Sequence, residues 1–265
     1  MLFNVGDLVT RDSYNNDVVF KIVSIDNDVV YLKGINIRLY ADSPVSDLRL
    51  EGGNAARDKI DDGEFVREME EVVKLDRNEY FYIPGKVLHI DGDKEYLDRC
   101  MKFYKKFKIL AYGVVLKEDE IYLKIDRYLE EFHPDIVVIT GHDVYYKRLG
   151  KEDDLSSYKN SKNFVKAIHA IRDYEKSQDK LIIIAGACQS DYEDLIKAGA
   201  NFASSPKRIN IHALDPAIIA SSVALSDKNK SIDLIDIINR TKYKEAGIGG
   251  IITNGTMYTG YPRWL

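Results

Sequence analysis

The apolar run Ile182-Ile183-Ile184-Ala185 gives way to Gly186-Ala187-Cys188, and Cys188 is one of only two cysteines in the chain. A free cysteine packs well as a small apolar residue. One behind a turn of small residues at the end of a strand is also placed to be a nucleophile. The reactive form is the thiolate, which needs a base or an ion-pairing histidine. His142, in Thr140-Gly141-His142-Asp143, follows another apolar run and lies 46 residues upstream of Cys188. His212 is a rival base 24 residues downstream. That is the order of amidotransferases, but their separation is longer and their Gly after the nucleophile is missing here. Acyl transfer also needs backbone N–H donors for the developing oxyanion, and those of Gly141, Asp143 and Cys188 are the candidates. A helix expected just after Cys188 would favour negative charge on the sulfur.

Four carboxylates fall beside these residues: Asp91, Asp93, Asp143 and Asp191. A carboxylate at the base of a substrate pocket selects Lys or Arg, and Arg can meet it with two parallel bonds. All four are therefore substrate-binding candidates, and a basic P1 residue is the expected preference. Asp91-Gly92-Asp93 also has the form that opens phosphatases of the haloacid dehalogenase type. Glu95 stands where those have Thr or Val, which disfavours that reading. The Ser204–Arg208 loop falls on the same side of the expected sheet.

The elements that must position these residues are readable from their periodicity. Residues 3–50 are rich in β-branched residues and turn signals and predict four short strands, closed as a small SH3-like β-barrel domain over 1–50. Residues 51–83 read as a linker and connecting segment, with 51–64 nearly free of large apolar residues. Residues 84–265 alternate continuous apolar runs with amphipathic stretches, the mark of a doubly wound α/β domain with a mostly parallel sheet of about six strands. Strands are predicted at 86–91, 109–116, 135–140, 180–186, 201–205 and 248–253. Helices are predicted at 94–107, 118–132, 158–175, 190–198, 213–225 and 231–242. Cys100 lies on the apolar face of the first helix and reads as core packing. His89, inside a strand, and His133 and His169, on helices, read as structural. In open α/β sheets ligands bind beyond the carboxyl ends of the strands, which is where His142 and Cys188 fall.

Composition excludes several classes. A net charge of −5 argues against a surface built for phosphate backbones, so no nucleic-acid partner is expected. No apolar run is long enough to span a bilayer, so no membrane role is expected either. The first residues lack the pattern of a secretory signal. Two distant cysteines fit a reducing compartment rather than a disulfide framework. The histidines and cysteines form no metal-ligand spacing, so neither a metal nor another cofactor is expected.

The 46-residue spacing approximates that of caspases, and Ala187-Cys188-Gln189 matches part of their nucleophile signature. The blocks "VLHIDGDKEYL", "PDIVVITGHD", "AGACQSDYE" and "AGANFASSPKRINIHALDP" together resemble the YabG family of sporulation-specific cysteine proteases of spore-forming Firmicutes. The resemblance runs over nearly the whole chain. It implies a caspase- and gingipain-like (caspase-hemoglobinase) catalytic fold, with His142 and Cys188 as the catalytic pair. It further implies action in the cytoplasm of the sporulating cell, in association with the forming spore, on coat or cortex-associated proteins. A coat-protein partner for the N-terminal barrel is the corresponding expectation. Arg57, in the polar 51–64 stretch, is the expected self-cleavage site, since nicking concentrates in such stretches. Two alternatives stand beside this reading: another Cys hydrolase or amidohydrolase using His212, and a non-enzymatic spore-coat scaffold protein.

Overall fold

A computed structural model describes residues 3–51, 62–75, 77–148, 150–152 and 154–263. The chain divides into two compact units, Met1–Glu64 and Phe65–Leu265. Arg57 lies outside the described residues.

In the first unit, alternating apolar and polar residues make strands with one buried face. They are β1 (Leu8–Arg11), β2 (Phe20–Asp26), β3 (Val29–Gly34), β4 (Tyr40–Pro44) and β5 (Leu48–Leu50). All pair antiparallel in the order β4-β3-β2-β1-β5. Phe3, Val9, Phe20, Ile22, Val30, Leu32 and Leu48 form the core. A closed SH3-like barrel is not shown. Among the described residues no pairing joins β4 to β5, and the strands, one more than expected, form a single five-stranded antiparallel sheet.

The 51–83 segment carries α1 (Gly63–Val72) and β6 (Phe81–Ile83) rather than loop alone. Charged residues surround Phe65 and Met69, the α1 residues that reach the core of the second unit. That thin, i/i+4 apolar stripe is why the helix was not legible.

The sheet of the second unit comprises β7 (Val87–Asp91), β8 (Ala111–Val115), β9 (Ile136–Thr140), β10 (Ile182–Ala185), β11 (Phe202–Ser204) and β12 (Ile248–Gly250). Its order is β12-β11-β10-β9-β7-β8, parallel except for β12. The helices are α2 (Lys94–Lys106), α3 (Ile121–Phe132), α4 (Ser161–Tyr174), α5 (Tyr192–Lys197), α6 (Asp215–Ala224), α7 (Leu234–Asn239) and α8 (Lys244–Gly247). A short strand β13 (Tyr258–Gly260) pairs with β6.

Successive side chains of a strand face opposite ways, so each strand feeds two cores. Val87, Val138 and Ile184 pack with Cys100, Phe103 and Tyr104 of α2 and with α6. Leu88, Ile139 and Ile183 pack on the other face with Ile121, Ile125 and Leu129 of α3 and Phe164, Ile168 and Ile171 of α4. This is the doubly wound arrangement expected. Full burial of both faces explains why the strands are continuous apolar runs. Among the described residues no helix is long and apolar enough to cross a membrane.

Candidate active site

The strand order reverses direction at β7: β8, the next strand in the chain, lies on one side of it and β9, the one after, on the other. The crevice of such a sheet opens at this switch point, beyond the carboxyl ends of the strands. Asp93 follows β7, Glu118 follows β8, His142 follows β9 and Cys188 follows β10. The pairing of Ala185 with Ile139 sets β10 directly beside β9, so the His142 and Cys188 loops leave adjacent strand ends.

His142 is held on three sides. Its N–H donates to Glu118 Oε1 at 2.7 Å. Its carbonyl accepts from Asn160 Nδ2 at 2.8 Å. Its Nε2 lies 3.5 Å from Asp93 Oδ2. Asp93 caps α2, its Oδ1 accepting the N–H groups of Glu95 and Tyr96 at 2.9 and 3.3 Å. The helix thereby orients the carboxylate that faces the imidazole. Behind it, Asp91 is fully buried, and its Oδ1 accepts the Asp93 N–H at 2.9 Å. Asp91 Oδ2 lies 3.8 Å from His89 Nε2, and His89 Nδ1 is 2.8 Å from the Tyr104 hydroxyl. Gly92 and Gly141 leave room for the anchor, because a Cβ on either would run into the Glu118 carboxylate.

Cys188 follows a turn that only glycine enters easily. Gly186 has φ +102°, and a Cβ there would stand 2.8 Å from Leu195 Cδ1. The Ala187 N–H donates to Ser190 Oγ at 2.9 Å, which closes the turn. Cys188 is fully buried, and the Ile211 N–H points at its sulfur from 3.2 Å. An N–H donor suits an anionic sulfur better than a protonated one. The expected helix N-terminus does not supply this donor. α5 begins only at Tyr192 and is capped by Asp191, so a backbone amide from the 205–211 segment lies there instead.

Two hydrogen bonds stitch the loops together. Ser190 Oγ donates to Asp143 Oδ2 at 3.0 Å, and the Tyr145 N–H donates to Gln189 Oε1 at 3.3 Å. The Asp143 carboxylate also accepts from Ser161 Oγ and from the Asn160 and Val144 N–H groups. Burial raises its pKa, against the pull of these bonds.

Asp191, almost wholly buried, contacts Arg208 Nη2 at 3.4 Å. The same guanidinium binds the Glu193 carboxylate, and its Nε donates to the Tyr158 hydroxyl at 2.6 Å. Burial pushes the Asp191 carboxyl up to about 6 and the Tyr158 hydroxyl up to about 12. Each of the four acids expected to receive substrate thus already has an internal contact. His212 Nδ1 accepts the Leu214 N–H at 3.2 Å, and the His212 N–H donates to Asp215 Oδ2, a helix-entry role ahead of α6. Among the described residues no group of three or more His, Cys, Asp or Glu could hold a metal ion.

Sequence reasoning missed Glu118 and Asn160 as parts of the site, and placed Arg208 only as the end of a loop on the same rim. Glu118 had a signal, since it follows β8 as His142 follows β9. Asn160 had none, because it acts on a backbone group far away in sequence.

A family model described as YabG peptidase U57 matches residues 4–262. The sporulation-specific protease YabG of Bacillus subtilis (strain 168) is 40% identical over 286 aligned residues, with 99% of each chain covered.

Proposed function

The chain belongs to the YabG peptidase U57 family, and from that membership we propose that it is a cysteine endopeptidase acting during sporulation. The observation that carries the cysteine assignment is the pair of bonds, Ser190–Asp143 and Tyr145–Gln189, that joins the His142 and Cys188 loops at neighbouring strand ends.

Cys188 Sγ attacks the scissile carbonyl as a thiolate, with its proton held by His142. Asp93 keeps the imidazole oriented and stabilises its charged form. The tetrahedral oxyanion accepts from the Cys188 and Asp143 N–H groups. Collapse breaks the C–N bond, His142 gives its proton to the leaving amine, and a thioester remains. A water that loses its proton to His142 then hydrolyses the thioester. The Asp143 N–H suits the oxyanion role because it donates to no other described residue, whereas the His142 N–H is taken by Glu118.

The substrates in this reading are proteins of the spore coat and cortex. A basic P1 residue is the proposed preference; Asp191 and Glu193 already hold Arg208, so a substrate guanidinium has to displace that cation to reach them. Self-cleavage after Arg57 would separate the N-terminal unit, the part left to bind a coat-layer protein, from the catalytic unit. The Leu214 N–H on His212 Nδ1 disfavours His212 as the base.

The test compares wild type, Cys188→Ala, His142→Ala and His212→Ala on coat-layer extracts, read by N-terminal sequencing of fragments. The first two variants should be equally inactive, since members of one catalytic unit are non-additive. His212→Ala should keep most activity. Wild-type cleavage by Cys188→Ala would overturn the nucleophile assignment.

A further inference from the structure

We infer that Asn160 is a positioning residue for the oxyanion donor: it fixes the His142–Asp143 peptide so that the Asp143 N–H faces the reacting carbonyl. The inference rests on the cysteine-protease reading and adds to it a residue that never touches substrate.

In a trans peptide the C=O and the N–H point in opposite directions. Asn160 Nδ2 holds the His142 carbonyl at 2.8 Å, so the Asp143 N–H of the same peptide is turned away from Asn160. That N–H donates to no other described residue, in a residue only 3% exposed. A backbone donor left unmatched in so buried a residue calls for a reason. A site that waits for a developing negative charge is one.

The rest of the local network holds Asn160 for this task. Its own N–H donates to Asp143 Oδ1 at 2.6 Å, which ties the two residues together. Its Oδ1 accepts from Asn163 Nδ2 at 3.0 Å. The His142 carbonyl can only accept, so the NH2 end of the Asn160 amide faces it and the Oδ1 end is left for Asn163. Glu118 fixes the preceding peptide in the same way, through the His142 N–H. The peptides on both sides of His142 are therefore pinned by side chains from two different segments. Without the Asn160 amide the His142–Asp143 peptide loses the bond that sets its tilt, and its N–H is no longer held on the reaction side.

The experiment uses Asn160→Asp, which keeps the shape but replaces the donor with an acceptor, and Asn163→Leu, which leaves Asn160 in place but unlocks its amide. Fluorescein-labelled casein gives kcat and KM. Iodoacetamide labelling of Cys188, read by peptide mapping across pH, reports the thiolate without using an oxyanion hole. The expected result for Asn160→Asp is a fall in kcat of about 10²–10³-fold, the usual effect of losing one oxyanion donor. KM and the labelling profile should stay within about twofold of wild type. Asn163→Leu should show a smaller fall in kcat with the same unchanged labelling, and it carries the test if Asn160→Asp does not fold. A kcat within about threefold of wild type in both variants overturns the inference, as does labelling that falls in step with kcat. Failure of the cysteine-protease reading is seen separately, as an active Cys188→Ala.

Discussion

At the residue scale, the acids of the site differ in how burial treats them. Asp191 keeps its contact with Arg208, yet burial raises its carboxyl to about 6. A raised pKa in the folded state means that the native chain holds this proton more tightly than the unfolded chain. The stability it contributes is present below the unfolded value near 3.8 and is lost as pH rises through about 6. In urea unfolding of Cys188→Ala, which should not digest itself, Asp191→Asn therefore serves as the reference. The protein with Asp191 should lose stability relative to that reference between about pH 4 and pH 6, then level off. A flat difference across this range would show that Asp191 does not titrate there. Asp143 is shifted in the same direction, but it is present in both proteins and cancels. The positions of His142 and Cys188 beyond strand ends were legible, because an apolar run followed by Gly marks where a strand stops. Their supports were not. Glu118 and Asn160 act through a backbone amide and a backbone carbonyl of His142; the place of Glu118 after a strand points to the rim but not to that bond, and any asparagine in the sequence looks as able as Asn160 to make its own.

At the element scale, β7, β8 and β9 end together, and the Glu118 carboxylate lies against both Gly92 and Gly141. Gly141→Ala places a methyl group where that carboxylate sits, so the anchor must leave the His142 N–H. Proteolysis should fall by tenfold or more, with a loss of stability of about 1–3 kcal/mol for the crowding. Adding Glu118→Ala should restore the melting temperature but not the activity, because space returns while the anchor does not. Wild-type activity in Gly141→Ala would remove Glu118 from the positioning of His142. The doubly wound sheet itself was legible because strands buried on both faces, such as Val87–Asp91 and Ile136–Thr140, leave uninterrupted apolar runs. α1 was not, since its buried residues are diluted by charge. The N-terminal strands read as a barrel because short alternating strands look alike whether or not their edges meet. Closure depends on pairing between distant segments, which periodicity does not encode.

At the scale of the whole molecule, two compact units flank the boundary at Glu64 and Phe65, and Arg57 lies just before it. A protease preferring basic P1 residues should nick itself there. Mass spectrometry of concentrated wild type stored beside Cys188→Ala should find a fragment beginning at Asp58 only in the wild type. Fragments that follow acidic or apolar residues, or that form equally in both samples, would sink the self-cleavage idea.

Cys188 has no exposed surface, and the Ile211 amide rests on its sulfur. As the nucleophile of the proposed mechanism, a thiol so placed would meet a polypeptide only in the fraction of molecules whose surroundings have opened. Turnover in that mechanism would be the intrinsic rate multiplied by that fraction, and about 1.4 kcal/mol of added closure would slow it tenfold. Whatever binds the opened form better than the closed one acts as an activator in proportion to that preference. A cysteine peptidase built this way would stay largely idle among bystander proteins, and its timing would be governed by how often it opens as well as by how fast it cuts.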